Sequence, residues 1–521
     1  MRRLFFLAVL TAAGHPAPAA EEPRPSPYEA GEWAIAETPL DGIVRAAQAK
    51  AGLQPAGPCS DAVFLRRIHL DLTGTLPEPA ETRRFLRDAD PRKREALVEA
   101  LLLRPEFADY WSLKWCDLLR VKAEFPINLW PNAVQCYHRW VRDAVRGNMP
   151  YDRFARALLT SSGSNFRVPP VNFYRAVQGG EPAALAEAVA LTFMGTRVES
   201  LSRERRDGMA AFFSRLSRKG TAEWKEEILF PDPAPAGPLA AVFPDGRPVE
   251  IAPGTDPRIV FADWLVAADN PWFARAVVNR AWSWFFGRGV VHETDDLRDD
   301  NPPSVPGLLE HLQKELILAD WDLRELFRRI VLSRTYQQSP LPRGDPGRAG
   351  ALFACYPVRR LDAEVLADAL AWIGGARDSY TSAIPEPFTF LPPDARTIAL
   401  ADGSITSPFL ETFGRPARDT GLESERNNRP TAGQSLYLLN STDVRRRIEE
   451  SPRLRALIRE SRGSRDVFVR GLYETLLSRY PTAEEMRAVE RFGLSGDRDS
   501  REVTADLAWA LVNTGEFLCR H

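Results

Sequence analysis

Residues 106–121 read EFADYWSLKWCDLLRV, and this stretch decides the fold class. Phe107, Trp111, Trp115 and Leu118 recur every three or four residues, which places large apolar side chains on one face of an α-helix. The same periodicity recurs at 94–101, 137–145, 151–159, 182–194, 271–286, 304–318, 322–333 and 362–373. The sequence therefore predicts a mainly α-helical protein.

Two proline-rich stretches interrupt the helical pattern. Residues 231–238, PDPAPAGP, can form neither a helix nor a central strand, because proline lacks an amide hydrogen. Just beyond them, Asp245-Gly246 lies between β-forming residues and predicts a small β-hairpin at 242–251. Residues 374–430 predict an irregular proline-rich insert with weak strand signals, including 397–400. We expect two packed helical modules, at 41–218 and 257–521, joined by a linker at 219–256 that holds the hairpin.

The amino terminus has the three parts of a secretory signal peptide, which we place at residues 1–20. Arg2 and Arg3 precede a short apolar run, and small residues follow as far as Ala20. An uncleaved anchor is the weaker alternative, because neither this run nor any later apolar stretch is long enough to span a bilayer. We predict export to the periplasm or cell envelope, with cleavage near Ala19/Ala20 and a flexible tether at 21–40.

Charge and cysteine content argue against several classes of protein. The chain of 521 residues has a formal net charge of −2, which gives no reason to expect binding to nucleic acid or to an anionic membrane. Its five cysteines lack C-x-x-C spacing, so no local zinc or haem-attachment motif exists and no cofactor is predicted. Cys116 has the spacing of a packed helical residue, although a Cys116–Cys136 disulfide stays open at this point.

Short motifs along the chain resemble a known pair of domains. In the first half they are FLRRIHLDLTGTLP at 64–77, RPEF at 104–107 and NMPYD at 148–152. In the second half they are DNP at 269–271, VNRAW at 278–282, FGRG at 286–289, DD at 295–296, NPPS at 301–304, TYQQS at 335–339, RLDAE at 360–364, FGRP at 413–416 and NTGEFL at 513–518. Together they resemble domain of unknown function 1549 followed by domain of unknown function 1553, a pairing typical of exported proteins of Planctomycetes.

The resemblance also implies chemistry that this chain lacks. Relatives typically carry a C-x-x-C-H stretch just beyond Gly195, where this chain has SLSRE at 200–204. A second typical stretch, C-E-C-E-R, is replaced by LESER at 422–426. A thioether-linked haem or a thiolate metal site needs those sulfurs. Their joint loss suggests the hypothesis that the two stretches face one another in relatives.

Two further departures concern the histidine content and the amino terminus. The histidine that usually follows NPPS is replaced by Val305. The usual cytochrome-like amino-terminal extension has no counterpart in residues 1–40. The resemblance thus implies a member without the family's metal or haem equipment.

The second module contains a loop rich in arginine and carboxylate side chains. It carries Arg415, Arg418, Asp419, Glu425 and Arg426. Guanidinium–carboxylate pairs can hold a loop in place or bind an anion such as sulfate or a uronate, and we favour the structural network. If a ligand site exists, we expect it at this loop, with Asp296 contributing.

An acidic cluster precedes this loop in the sequence. Glu293, Asp295, Asp296, Asp299 and Asp300 could bind Ca²⁺, but without D-x-D-x-D-G spacing a solvated loop is favoured. The adjoining His292 is the best candidate for acid–base chemistry.

Two apolar segments carry residues with alternative roles. His69 lies in an apolar helix and is predicted to be a hydrogen-bonded core residue. The aromatic group of Trp282, Trp284, Phe285 and Phe286 could stack on sugars, but its helical spacing favours burial.

Two functional hypotheses follow. The first is a non-catalytic interaction or assembly protein of the envelope, for which the resemblance implies a co-encoded, sulfatase-like exported partner carrying domain of unknown function 1501. The second is an enzyme of extracytoplasmic polysaccharide breakdown that uses carboxylates and arginines. A pocket holding Arg415, Glu425, Arg426 and Asp296 with converging carboxylates would favour the enzyme, whereas their mutual pairing and burial would count against it.

Overall fold

The computed structural model describes residues 26–123, 129–234, 237–382, 384, 389–493 and 500–521. The predicted signal peptide and the first residues of the predicted tether lie outside these ranges. From residue 26 onward the tether segment packs on the protein, unlike the predicted flexible linker. The Ala30 amide donates to the Pro58 carbonyl at 2.9 Å, and the Arg334 guanidinium lies 5.2 Å from the Trp33 ring centre.

The described chain is mainly α-helical, as predicted. The first half contains α1 (Pro39–Lys50), α2 (Asp61–Leu72), α3 (Pro79–Arg87), α4 (Lys93–Leu102), α5 (Pro105–Leu118), α6 (Pro131–Arg146), α7 (Tyr151–Thr160), α8 (Asn172–Arg175), α9 (Pro182–Val189) and α10 (Arg203–Ala211). A π-helical turn, Ala190–Met194, continues α9 and ends at Gly195, whose φ is 58°. A 3₁₀ turn, Val198–Ser200, then leads toward α10.

The second half is also a succession of helices. They are α11 (Pro257–Leu265), α12 (Phe273–Phe286), α13 (Leu308–Leu318), α14 (Leu323–Val331), α15 (Pro346–Ala351), α16 (Ala363–Gly374), α17 (Pro408–Thr412), α18 (Ala432–Asn440), α19 (Thr442–Glu449), α20 (Pro452–Glu460), α21 (Arg465–Leu477), α22 (Ala483–Gly493), α23 (Ser500–Val512) and α24 (Gly515–Leu518). In the described part of the chain, no helix is long and apolar enough to cross a membrane.

Strands are few and short. β1 (Gly163–Ser164), β2 (Leu216–Gly220) and β3 (Glu227–Pro231) form an antiparallel sheet in the order β1-β3-β2, which the sequence did not predict. β2 runs across the predicted boundary at 218–219, so the linker and the first module share a sheet. The predicted hairpin is confirmed, since β4 (Leu239–Val242) pairs with β5 (Pro248–Ile251).

The irregular insert differs from its weak strand signals at one point. Thr397–Ala399 forms a 3₁₀ turn rather than a strand. The Asp368 carboxylate of α16 accepts hydrogen bonds from the Thr397 amide at 2.7 Å and from the Ile398 amide at 3.2 Å. These two bonds satisfy the free amides of the turn and hold the insert against α16.

One continuous hydrophobic core extends through both modules. Trp111 of α5 lies with its ring centre 4.2 Å from that of Phe327 in α14 and 5.4 Å from that of Trp284 in α12. The predicted burial of the α12 aromatic group is confirmed, because Trp282 and Phe285 are fully enclosed and Trp284 is nearly so. These rings are therefore packing residues and not a sugar-stacking surface.

The carboxyl terminus packs against the first module. β6 (Arg359–Arg360) pairs with β7 (Cys519–Arg520). The buried Arg66 of α2 donates to the Leu476 and Phe517 carbonyls, both at 2.9 Å. Its neighbour Arg67 donates to the His521 carbonyl at 2.8 Å. Residues from the two ends of the sequence thus complete one another's hydrogen bonds.

All five cysteines are free thiols. The disulfide left open between Cys116 and Cys136 is therefore not formed. Cys116 is completely buried, which confirms its packing role. The Cys136 thiol donates to the Ala133 carbonyl at 3.2 Å within its own helix.

Candidate functional site

Charged side chains meet inside the protein where the two modules join. Lys114 and Asp117 lie three residues apart on α5, so they project from the same side of that helix. Asp362 immediately precedes α16, but its carboxylate makes no capping bond to the helix and turns into the network instead. The cations are Lys114, Arg359, Arg415, Arg418, Arg426 and Arg520, and the carboxylates are Asp71, Asp117, Asp362 and Glu364.

The three arginines predicted from the loop belong to this network. Asp117 accepts from Arg418 Nε at 2.9 Å and from Arg426 Nη2 at 2.7 Å through its two oxygens. Glu364 accepts from Arg426 Nη1 at 2.6 Å and lies 3.4 Å from Arg415 Nε. All five side chains are buried, as the structural alternative required.

Asp362 is the most densely bonded carboxylate of the network. Its Oδ2 accepts from Lys114 Nζ at 2.9 Å, from Arg520 Nη2 at 2.9 Å and from the Tyr110 hydroxyl at 2.8 Å. Its Oδ1 accepts from Asn428 Nδ2 at 2.6 Å. Burial alone would raise the pKa of Asp362, but the charges of Lys114 and Arg520 outweigh it and hold that pKa well below its ordinary value.

The other predicted site residues lie outside the buried network. Asp419 accepts from Lys122 at 2.8 Å, and its amide donates to Glu425 at 3.0 Å, so these two carboxylates organise the loop itself. Asp296 pairs at the surface with Arg298, 2.8 Å away.

A neighbour of Asp296 makes the contact to the loop that Asp296 was predicted to make. The buried Asp295 accepts from the Glu423 amide at 2.7 Å and pairs with Arg280 at 2.7 Å. Glu423 is half-buried, and its own carboxyl has a pKa raised to about 7 by burial and by the negative charge of Asp295. The acidic cluster therefore contacts the loop through Asp295, while Asp296 and Asp300 pair with Arg298.

A partly open cavity of about 620 Å³ lies between α9 and the arginine-bearing loop. The first half supplies Arg120, Val177, Gln178, Ala184, Glu187, Ala188, Leu191, Arg197 and Glu199, and the second half supplies Asp419, Thr420 and Leu422. Glu199 adjoins Ser200, and Leu422 begins the stretch that contains Ser424. Ser200 and Ser424 themselves are not among the residues that line this cavity. The hypothesis that the two stretches face one another therefore stays a prediction.

Two histidines differ in their surroundings. His69 is fully buried, as predicted, but neither ring nitrogen has a hydrogen-bond partner among the described residues; Glu81 is 3.7 Å from Nε2. Burial and the charge of Arg104 lower its pKa to about 3, so it is neutral at physiological pH. His292 is exposed and lies 3.4 Å from Glu293. Within the described ranges, no cluster of three or more histidine, cysteine or carboxylate side chains is arranged to hold a metal ion.

Much of the buried network was missed by sequence reasoning. Asp71 lies between Leu70 and Leu72, and Lys114 and Asp117 lie on either side of Trp115 and Cys116 in the buried part of α5. Charges at core positions of a helix signal buried pairing, because an unpaired charge there is costly. The signal was present in α2 and α5, but it did not identify the partners.

These features define a class: a mainly α-helical protein whose two modules share one core and one buried ionic network. Residues 39–204 match the family model PSCyt2, described as "Protein of unknown function (DUF1549)", and residues 257–493 match PSD1, "Protein of unknown function (DUF1553)". The chain belongs to the family of proteins that pair these two domains. Neither the curated proteins nor the solved structures yielded a match.

Proposed function

We propose that this chain is an exported, non-catalytic protein of the cell envelope that acts by binding a partner protein. One observation carries the proposal: the loop arginines, where a ligand site was expected if one exists, are paired with buried carboxylates. Arg426, for example, makes two-pronged contacts with both Asp117 and Glu364. A catalytic side chain must contact its substrate, whereas these arginines and carboxylates contact one another.

Export is supported by the arginine-led apolar segment and the small residues that end at Ala20. The leading partner is the sulfatase-like exported protein carrying domain of unknown function 1501 that the family resemblance implies. No resident metal or cofactor is proposed, since the sulfur ligands that relatives typically carry are replaced by SLSRE and LESER in this chain.

The alternative, an enzyme of polysaccharide breakdown, rests on a different observation. Glu187 and Glu199 both line the 620 Å³ cavity and have no ion-pair partner in the described part of the chain. Carboxylates facing a cleft are what acid–base hydrolysis of a glycosidic bond requires. The same cavity therefore supplies the test that separates the two candidates.

The binding proposal is tested by co-expression of the full chain with the sulfatase-like partner and by light scattering of the purified material. We expect amino-terminal sequencing to begin at Glu21, and a co-eluting complex of defined mass. A matched control is an unrelated exported protein expressed with the same chain. Separate elution of the two partners would contradict the proposal, and stoichiometric iron or zinc would contradict the loss of the metal site.

The enzyme alternative is tested with polysaccharides that carry uronate or sulfate groups. Release of reducing ends by the wild type, abolished in Glu187→Gln or Glu199→Gln but retained in the surface control Glu310→Gln, would establish it. Absence of release leaves the non-catalytic proposal in place, whereas release that both cavity variants retain would contradict it and place the activity outside this cavity.

A further inference from the structure

We infer that the cavity beside α9 binds a small organic anion with an apolar body, and that its anionic group pairs with Arg120. This inference is independent of the proposed partner binding, because it concerns a partly open cavity and a low-molecular-weight ligand.

Arg120 is a buried cation that Glu187 and Glu425 stabilise only from beyond ion-pair distance. It follows α5 in a left-handed conformation, with φ of 57°, and only 6% of it is exposed. Its guanidinium makes one long hydrogen bond, 3.5 Å, to the Leu118 carbonyl, and no carboxylate in the described ranges lies within ion-pair distance. The nearby Arg418 and Arg426 both share Asp117. Burial of a charge that no opposite charge contacts directly is strongly unfavourable, and a bound anion would relieve it.

The loop is fitted to this guanidinium. Gly421 has a φ of +73°, and a Cβ at this position would lie 2.7 Å from Arg120 Cζ and 2.7 Å from the Leu118 carbonyl oxygen. Only a residue without a side chain lets the loop approach so closely. The guanidinium is therefore held between Gly421 and the end of α5 while it lines the cavity.

The cavity walls indicate what kind of anion fits. Ala184, Ala188 and Leu191 recur at helical spacing along one wall, and Leu422 adds a further apolar side chain from the loop. The volume of about 620 Å³ falls within the range of roughly 300–1,000 Å³ that is usual for small-molecule pockets. A bare inorganic ion would leave most of this apolar surface exposed to water.

The charges at the edge of the cavity limit the charge of the ligand. Glu187 and Glu199 are exposed and line the cavity together with the exposed Arg197. Asp419 also lines it, but Lys122 neutralises this carboxylate at 2.8 Å. The negative charges of Glu187 and Glu199 disfavour a polyanion such as a phosphate ester, whereas a monoanion can be neutralised by the buried guanidinium. Burial lowers the pKa of Arg120 to about 10, which leaves it charged at neutral pH. A carboxylate on an aliphatic or aromatic body meets these conditions, since guanidinium binds carboxylate through two parallel hydrogen bonds.

The test uses 2-naphthoate as the probe and the neutral 2-naphthamide as its size-matched control, titrated into the full chain by calorimetry. We expect 2-naphthoate to bind the wild type and 2-naphthamide to bind more weakly. Arg120→Met should weaken 2-naphthoate binding about 10- to 100-fold, the usual contribution of a charge-assisted pair. Arg197→Met removes an exposed arginine from the same cavity and should change the affinity less than about threefold.

Folding is followed in the same variants by thermal unfolding. Arg120→Met should melt at or above the wild-type temperature, because it removes an unpaired buried charge. If it fails to fold, Arg120→Lys replaces it, and weaker but retained discrimination of naphthoate from naphthamide is then expected. The inference is overturned if the wild type does not bind naphthoate, if it binds both probes equally, or if Arg197→Met causes the larger loss.

Discussion

Replacing Asp362 with asparagine tests whether the buried network holds the two modules together. Asp362→Asn keeps the shape of the side chain but removes the one carboxylate that Lys114 contacts among the described residues, at 2.9 Å. Arg520 still has the Asp71 carboxylate as a partner, 3.2 Å away, so most of the loss of stability comes from the unpaired charge of Lys114. Removing one member of a buried ion pair costs about 3–5 kcal/mol. We therefore expect a loss of about 4 kcal/mol, a large part of the roughly 5–15 kcal/mol that stabilises a typical domain.

The assay is urea unfolding near pH 7, followed by tryptophan fluorescence and by circular dichroism. The matched control is Asp143→Asn, which breaks an exposed pair with Arg146 of 2.7 Å and should cost less than about 0.5 kcal/mol. The double variant Lys114→Met/Asp362→Asn should be more stable than Asp362→Asn alone, because no cation is left stranded. A single-variant loss below about 1 kcal/mol, or a double variant no better than the single, would refute the reasoning.

Four further outcomes are expected. The pKa of Asp362 is depressed in the folded protein, so the stabilisation that its ionised carboxylate gives is complete above the pKa of about 3.9 that an aspartate has in the unfolded chain. This stabilisation is lost as the pH falls through and below that value. The difference in unfolding free energy between wild type and Asp362→Asn should therefore shrink in that range. The pKa of His69 is lowered to about 3, so between about pH 6.5 and 3 the unfolded chain binds a proton at His69 that the folded chain does not bind. His69→Leu should therefore reduce the slope of unfolding free energy against pH in this range by about 1.4 kcal/mol per pH unit. An unchanged slope would show that His69 titrates normally. Gly414 has a φ of +81° and a Cβ there would lie 2.0 Å from the Asn427 carbonyl oxygen; Gly414→Ala should lose at least about 2 kcal/mol in urea unfolding, whereas Gly433→Ala in the exposed α18 should gain about 0.5 kcal/mol. Alkylation of the denatured but unreduced protein should add five groups by intact mass, and a smaller number would reveal a disulfide.

Local features of the fold were predictable from the sequence because their causes lie within a few residues. The apolar spacing of 106–121 produced α5, and Asp245-Gly246 produced the hairpin of β4 and β5. The three-stranded sheet was missed because its pairing is not local. β1 contributes only two residues, and Gly163 pairs with Leu229 far along the chain.

The candidate site was predictable only in part for the same reason. The loop of Arg415, Arg418 and Arg426 was identified from its composition, and a structural network was favoured over a ligand site. The carboxylates that complete the network are supplied by distant helices: Asp117 is 301 residues from Arg418 in the sequence. The sequence shows that the loop arginines need carboxylate partners, but only the packing of α5 against the second module determines which carboxylates those are.

The bonds from α2 to the end of the chain have a consequence for folding order. Arg67 lies in the first matched segment, 39–204, and donates to a carbonyl 454 residues away, at His521, which follows the second matched segment, 257–493. A ribosome releases α2 long before its acceptors exist, so the first module cannot reach its final state during synthesis. If the chain were cut between the two matched segments, each fragment would contain buried arginines or carboxylates without their partners. Because the two modules share one core and these hydrogen bonds, we expect them to unfold in a single cooperative step.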